Sequence, residues 1–330
     1  MTRMSARQMA FILATVTLGG LHGQAVGQTY PNKPVNVVVP FPAGGYVDSF
    51  ARVVTAKLGV LLGQTMPVLN RPGAGGTVGA ESVVRAPPDG YMLLVSGVSS
   101  LAIFEALRSK TSEAELPKLS YISLIASTPG VMTTSTQSGV TSFADLVEKV
   151  RKEPGRYSYG SAGPGTPSHL WSAEIVRALN LDLRHAAYKG GAPALQELAN
   201  NQILWMIDTP VGSLPLTRAG KVTPLAVIAP GRIKQLPQVP SIAELGVPQL
   251  ADKASTLYLA APAGTPKAIL DRLNQAYAMA IKDPEFTTRI DSFDSDLPDP
   301  EMKPEKVREA AEAEYLGWFK IVRESGVKVD

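Results

Sequence analysis

Residues 35–45 read Val-Asn-Val-Val-Val-Pro-Phe-Pro-Ala-Gly-Gly. The mostly β-branched run 35–39 stops at Pro40, and its nearly unbroken apolar character fits a strand in a sheet covered on both faces. The loop Phe41-Pro42-Ala43-Gly44-Gly45 follows. A helix is then expected from about Val47, with Phe50, Val54, Leu58 and Leu61 on one stripe and Gly63 as its stop signal.

Strand, glycine-bearing loop and helix recur along the chain. A strand over 66–69 leads into Asn70-Arg71-Pro72-Gly73-Ala74-Gly75-Gly76 and a helix through Ala80 to Ala86, and the turn Pro88-Asp89-Gly90 leads into a strand over 91–95. A strand over 157–159 precedes Gly160-Ser161-Ala162-Gly163-Pro164-Gly165. Thr166 then reads as an N-cap with Pro167 at the first helical position, and Trp171, Ile175 and Leu179 share a helix face. A strand over 183–188 precedes Lys189-Gly190-Gly191 and a helix opened by Pro193; a strand over 203–207 ends at Asp208. A helix from Thr265-Pro266 carries Ile269, Leu273, Ala276 and Ala280. A last one from near Pro304 carries Val307, Ala311, Tyr315, Trp318 and Val322. The alternation predicts an α/β protein with mainly parallel sheets.

The chain has 330 residues, room for about two domains. It has no cysteine, which excludes a disulfide scaffold, a thiolate metal site, a cysteine nucleophile and a lipid-modified N-terminal cysteine. A net charge of +3 over the whole chain gives no argument for a nucleic-acid partner, and 45% hydrophobic residues argue against disorder. Arg3 and Arg7 precede an apolar run over 9–18. About ten residues cannot span a bilayer, which needs roughly 20. Gly23 and Ala25 are small residues two apart, as a signal-peptidase site requires. Residues 1–25 therefore read as a cleavable export signal, cut after Ala25 or after Gly27, that delivers a soluble chain without a lipid anchor to the periplasm.

In open α/β sheets ligands gather beyond the carboxyl ends of the strands, where helix N-termini present unpaired N–H groups and a partial positive charge. Glycine lets the backbone come close to a ligand. The loops at 41–47, 160–168 and 189–193 therefore read as anion cradles or as no more than tight connections, and their threefold recurrence favours the cradle. There is no G-x-x-x-x-G-K-[ST], and Gly73, Gly75 and Gly79 are wrongly spaced for a dinucleotide loop, so a carboxylate fits better than a nucleotide. No H-E-x-x-H occurs, and neither a metal nor a cofactor is expected. Asp48 reads as charge complement to a helix start or as a direct ligand contact, and His169 as a helix-packing residue or a donor to the ligand. Arg71 reads as a bidentate partner of a carboxylate or, by preference, as an anchor of the glycine loop behind it. Ser161 lies one residue short of a G-x-S-x-G elbow. With His185 and Asp208 it leaves a secreted serine hydrolase as an alternative, which the order Ser, His, Asp disfavours.

Six stretches in order carry a resemblance: VVVPFPAGG (37–45), NRPGAGGTVGAE (70–81), PDGYMLLVS (88–96), YGSAGPGTPSHL (159–170), YKGGAPALQEL (188–198) and LYLAAPAGTP (257–266). Together they resemble the extracytoplasmic solute receptors of tripartite tricarboxylate transporters, of the TctC or Bug type. The resemblance implies a two-domain periplasmic-binding-protein (Venus-flytrap) fold, type II-like. Domain 1 would comprise 26–128 plus 253–330, with the C-terminal helices packed on it, and domain 2 would comprise 129–252. It implies no chemistry but a carboxylate, di- or tricarboxylate or aromatic, held in the interdomain cleft by backbone groups and ordered water. Carried over, the contacts fall on Phe41, Pro42, Ala43, Gly44 and Gly45, and on Ser161, Ala162, Gly163, Thr166, Ser168 and His169. Tyr188, Lys189, Gly190 and Asp208 would line the other side, with Val98 and Ser99 as further candidates. Tyr46, Asp48, Lys189 and Thr209 would help select the ligand. The sequence departs from the family at Tyr46 and Val47, where small or polar residues are usual, at Thr209, where Asn is frequent, and at the bulky Trp205. These departures imply a more apolar distal pocket. The implied partners are membrane transporter subunits, or alternatively a sensor kinase, met by a monomer.

Overall fold

The structure is a computed structural model that describes residues 30–98, 101–102, 106, 118–251 and 253–325. The chain divides into two units, Met1–Asn32 and Lys33–Asp330, and the second holds all of the elements below. The expected signal and its cleavage sites lie outside the described residues. In chain order the elements are β1 (Asn36–Val39), α1 (Tyr46–Leu62), β2 (Val68–Asn70), α2 (Thr77–Val84), β3 (Met92–Ser96), β4 (Leu119–Thr128), β5 (Gly130–Ser135), α3 (Phe143–Lys152), β6 (Ser158–Ser161), α4 (Pro167–Ala178), β7 (Arg184–Ala187), α5 (Gly191–Ala199), β8 (Trp205–Asp208), α6 (Pro210–Arg218), β9 (Val222–Ile228), β10 (Ser255–Pro262), α7 (Lys267–Ile281), α8 (Pro284–Asp291) and α9 (Pro304–Ser325).

Two five-stranded sheets share one plan. The first has the order β2-β1-β3-β10-β4 and the second β7-β6-β8-β5-β9. In each, three strands run parallel, and the fourth is antiparallel to both of its neighbours. The sheets are thus mixed, which corrects the expectation of mainly parallel sheets. The antiparallel members sit where the chain changes sheet. It leaves the first at the end of β4, and after Pro129 alone β5 begins in the second; it returns between β9 and β10. A strand entering from the other sheet is not bound by the crossover geometry that keeps βαβ strands parallel.

β1 behaves as its composition requires: Val37, Val38 and Val39 are fully buried. The stripe of α1 is Phe50, Val54, Leu58 and, in place of Leu61, Leu62. Burying such side chains stabilises by roughly 1.5–3 kcal/mol each. Val38, Leu94, Tyr121 and Tyr258 belong to the core of the first sheet, and Met132, Tyr159, Trp171 and Trp205 to that of the second. The last helix serves both. Val307 and Ala311 lie in the first core, while Tyr315, Trp318, Phe319 and Val322 lie in the second. The expectation that the C-terminal helices pack on domain 1 therefore holds for only half of α9. Its 22 residues span about 33 Å at 1.5 Å each, enough to reach both cores.

Candidate functional site

Parallel strands of both sheets end at one cleft. From the first sheet it is lined by Phe41, Pro42, Gly45, Tyr46 and Val47 after β1 and by Gly97 after β3. From the second come Ala162, Thr166, Pro167, Ser168 and Trp171 after β6, Gly191 and Ala192 at the start of α5, and Asp208 and Thr209 after β8. Ser255 and Leu257 on β10 complete the lining. The two sides touch. A side-chain carbon built on Gly190 would lie 2.7 Å from Pro42 Cδ, so only glycine permits this approach between the loops after β1 and β7.

The loop after β1 is held from behind by Asp48. Its Oδ2 accepts from Gly44 N–H at 2.9 Å and from Arg52 Nε at 2.8 Å. Its Oδ1 accepts from Arg52 Nη2 at 3.0 Å and from Asn70 Nδ2 at 2.9 Å. Asn70 also donates to Phe41 O at 3.0 Å. Burial alone would raise the Asp48 pKa; the hydrogen bonds from Arg52, Gly44 and Asn70 outweigh it and hold the carboxyl below its ordinary value. Gly45 is the N-cap of α1 and supplies no side chain to it, and the N–H groups of Tyr46 and Val47 have no partner among the described residues. Both residues line the cleft, so the first turn of α1 offers it backbone donors.

The loop after β6 is built differently. Ala162 N–H donates to Ser168 Oγ at 2.9 Å, Gly163 N–H to Ser161 Oγ at 3.2 Å, Gly165 N–H to His169 Nδ1 at 3.4 Å and Thr166 N–H to Gly163 O at 3.3 Å. Pro164 and Pro167 have no N–H. Every backbone donor from Ala162 to Pro167 is thus engaged within the loop. Thr166 is the N-cap of α4 with Pro167 behind it, as expected, but its hydroxyl donates back to Gly163 O at 2.7 Å and does not cap the helix. His169 is buried and stacks on His185 with ring centroids 4.0 Å apart. Burial, and then the neighbouring His185, bring its pKa down to about 3. It packs the loop and stays neutral.

At the second-sheet wall Asp208 is buried, with 8% of its surface exposed. Its Oδ1 accepts from Thr209 N–H at 2.8 Å. Burial pushes its pKa up to about 6 against this single hydrogen bond. Tyr46 reaches across the cleft floor: its hydroxyl donates toward Ser255 O and Thr128 Oγ1, both at 2.9 Å. Trp171 Nε1 donates to Lys253 O at 2.7 Å.

Of the residues expected at the site, Phe41, Pro42, Gly45, Tyr46, Ala162, Thr166, Ser168, Asp208 and Thr209 line the cleft together. Ala43 and Gly44 sit at the exposed loop tip, and Lys189 is exposed. Asp48, Ser161, Gly163, His169, Tyr188 and Gly190 stand behind the lining or beside it, and Val98 is in the first core. Ser99 lies outside the described residues. Arg71 is exposed; its loop is tied to β1 through its backbone, Arg71 N–H donating to Val39 O at 2.8 Å. The bulky Trp205 does not reach the cleft: it is buried, stacked on Tyr159, with Nε1 3.4 Å from Ser172 Oγ. Val47, Tyr46 and Trp171 make the wall apolar instead. Trp171, Ser255 and Leu257 were missed as site residues, Trp171 because its helical spacing reads as core and the other two because β10 carries no loop signal. Ser161 Oγ lies 2.7 Å from His185 Nε2. The serine is fully buried and outside the lining, and Asp208 bonds Thr209, so these three residues form no relay facing the cleft.

Known proteins share this fold. The family model of the "Tripartite tricarboxylate transporter family receptor" matches residues 50–324. A curated relative from Pseudomonas sp. (strain P51), a UPF0065 protein in the tcbD-tcbE intergenic region, is 30% identical over 322 residues, 96% of this chain and 94% of that one. The periplasmic binding protein BugD superposes with a TM-score of 0.84 at 31% identity, over 91% of this chain and 99% of that chain. MatC from Rhodopseudomonas palustris, solved with bound malate, superposes with a TM-score of 0.82 at 30% identity, over 89% and 100%.

Proposed function

The chain belongs to the tripartite tricarboxylate transporter receptor family, the solute-binding proteins of TctC and Bug type, and we propose that it captures a small carboxylate in its cleft and hands it to a tripartite tricarboxylate-type membrane transporter. The observation that carries this reading is the first turn of α1. Tyr46 and Val47 present unengaged N–H groups at a helix N-terminus, inside a cleft with apolar walls. Such a helix start favours an anion. MatC, of the same fold, was solved with malate, which supports a carboxylate cargo.

The lobe built of residues 26–128 and 253–330 and the lobe of 129–252 act as the two jaws. Their hinge lies at Pro129 and in the return segment before β10. A ligand that touches both lobes shifts the population toward the closed form, and the closed form docks on the transporter. The chain works in the periplasm after loss of residues 1–25, as a monomer. Among the described residues no helix is long and apolar enough to cross a membrane.

Thermal unfolding of mature protein, refolded to remove host ligand, tests the reading. A carboxylate at 100 times its Kd adds about 2.7 kcal/mol and is expected to raise Tm by several degrees. Malate, adipate, benzoate and amino acids form the first panel, with neutral sugars as controls. Flat melting curves against every carboxylate would overturn it.

A further inference from the structure

The cleft has a second polar end that a simple carboxylate leaves unserved. Among the described residues Asp208 is the one acidic side chain in the lining, and no Lys, Arg or His lines it. Its Oδ1 is engaged by Thr209 N–H, and its Oδ2 has no hydrogen bond among the described residues. Space for this oxygen is made by two glycines: a side-chain carbon on Gly191 would lie 2.7 Å from it, and one on Gly212 would lie 2.5 Å from it. Beside it, Thr209 is 3% exposed and lines the same cleft, and its Oγ1 is buried with no partner among the described residues. Two hydrogen-bond acceptors thus stand together, opposite the donors of α1, in a cleft whose other walls are Phe41, Tyr46, Trp171 and Leu257.

A buried carboxylate without a cation is costly, and proteins keep one where a partner supplies the charge. A second ligand carboxylate at this end would meet Asp208 with no basic side chain to offset the repulsion. An ammonium group fits: it donates to Oδ2 and to Thr209 Oγ1, and both become charge-assisted bonds in a site screened from water. We infer that Asp208 Oδ2 and Thr209 Oγ1 form an ammonium subsite, so that the cargo is an amino acid with one carboxylate and an apolar or aromatic side chain. The carboxylate docks on the first turn of α1, the ammonium on the end of β8, and the side chain against the aromatic wall. The inference rests on the carboxylate reading of the α1 end.

The test is isothermal titration of the refolded mature protein with matched pairs: phenylalanine against 3-phenylpropionate, leucine against 4-methylpentanoate, and succinate and adipate as diacids. The amino acid of a pair is expected to bind at least about tenfold more tightly than its deaminated partner, in line with a charge-assisted bond. Asp208→Asn is expected to abolish that preference. Thr209→Val should reduce it in part, and it carries the test if Asp208→Asn does not fold. Equal binding within the pairs, or tighter binding of a diacid, would overturn the ammonium subsite and leave the carboxylate receptor standing. No heat from any acid would overturn both.

Discussion

The loop after β1 and the loop after β6 each join a buried strand to a helix through a glycine-rich turn, yet the helix start after the first offers the cleft the N–H groups of Tyr46 and Val47, whereas the second engages every N–H from Ala162 to Pro167 and leaves that of Ser168 alone at its helix start, among the described residues. The difference lies in the short polar side chains. Ser161, Ser168 and His169 sit within reach of the second loop's own backbone and accept its N–H groups. The first loop, Phe41-Pro42-Ala43-Gly44-Gly45, contains no such side chain, and it is steadied by Asp48 and Asn70 from outside. Glycine content therefore marks where a backbone can approach a ligand. Whether it has donors left for the ligand depends on what the neighbouring hydroxyls do.

Removing the outside anchor is expected to have the largest effect. Asp48→Ala leaves Gly44 N–H and the Asn70 amide without their acceptor, and it frees Arg52. A loss of about 3 kcal/mol in unfolding free energy is expected, with carboxylate affinity falling as the α1 donors lose their fixed position. Urea denaturation and titration measure the two effects separately. A variant as stable as wild type would mean that the loop holds itself, as its counterpart does.

Acidification separates two residues on the second-sheet side of the cleft by sign. His169 has a folded pKa of about 3, below its usual 6.5. Its contribution to stability is present above pH 6.5 and is lost as pH falls toward 3. Asp208 has a folded pKa of about 6, above 3.8. Its contribution is complete below pH 3.8 and is lost as pH rises through 6. Roughly two units at about 1.4 kcal/mol each bound that effect near 3 kcal/mol. Between pH 4 and 6 the two therefore oppose each other in the unliganded protein. Melting across this range is expected to show His169→Gln losing less stability than wild type on acidification. Asp208→Asn should gain stability at pH 7 and lose that advantage below pH 4. Parallel curves for all three proteins would remove both assignments.

Ser168→Ala probes the self-satisfied loop. It leaves Ala162 N–H without its acceptor and takes a partner from Thr166. A loss of about 1–2 kcal/mol is expected. If the second loop is scaffold, the affinity of a carboxylate changes little once stability is restored by lower temperature; a tenfold loss would make this loop a donor surface after all.

The parts of the fold that were legible in the sequence carry their signal locally. β1 and α1 follow from a β-branched run, a glycine pair and a helical stripe, and β6 and α4 follow from the same pattern with Pro167 as the start mark. β5 shows why others were not. Thr133, Thr134 and Ser135 are fully buried, which their polarity argues against. They are tolerated because Thr133 and Thr134 donate to Met206 O and Leu204 O, 73 and 70 residues away. The site was divided in the same way. Its loops were legible, whereas Ser255 and Leu257 arrive on a strand some 200 residues distant in sequence from α1. Asp48 was readable as a helix-start charge or a ligand contact but not as the anchor of the loop, since its partner Asn70 lies 22 residues on.

Tyr46 opens α1, and its hydroxyl ties the loop before it to the points where the chain changes sheet. Thr128 ends β4 and Ser255 begins β10, and both accept from the one phenol. Burial raises the phenol pKa, so the hydroxyl keeps its proton and donates at any physiological pH. Tyr46→Phe removes these bonds and keeps the ring edge-on to Phe50, 5.1 Å between centroids. The expected cost is small, about 1 kcal/mol, and carboxylate affinity should stay within a few-fold, because the backbone N–H of residue 46 is untouched. Tyr46→Gly removes the wall as well. It should admit longer acids that the wild type rejects, and this measurement separates the two functions of the residue. If Tyr46→Phe alone relaxed ligand choice, the phenol rather than the ring would set the length of the cleft. The difference between the loops would then extend from their donors to their hold on the hinge.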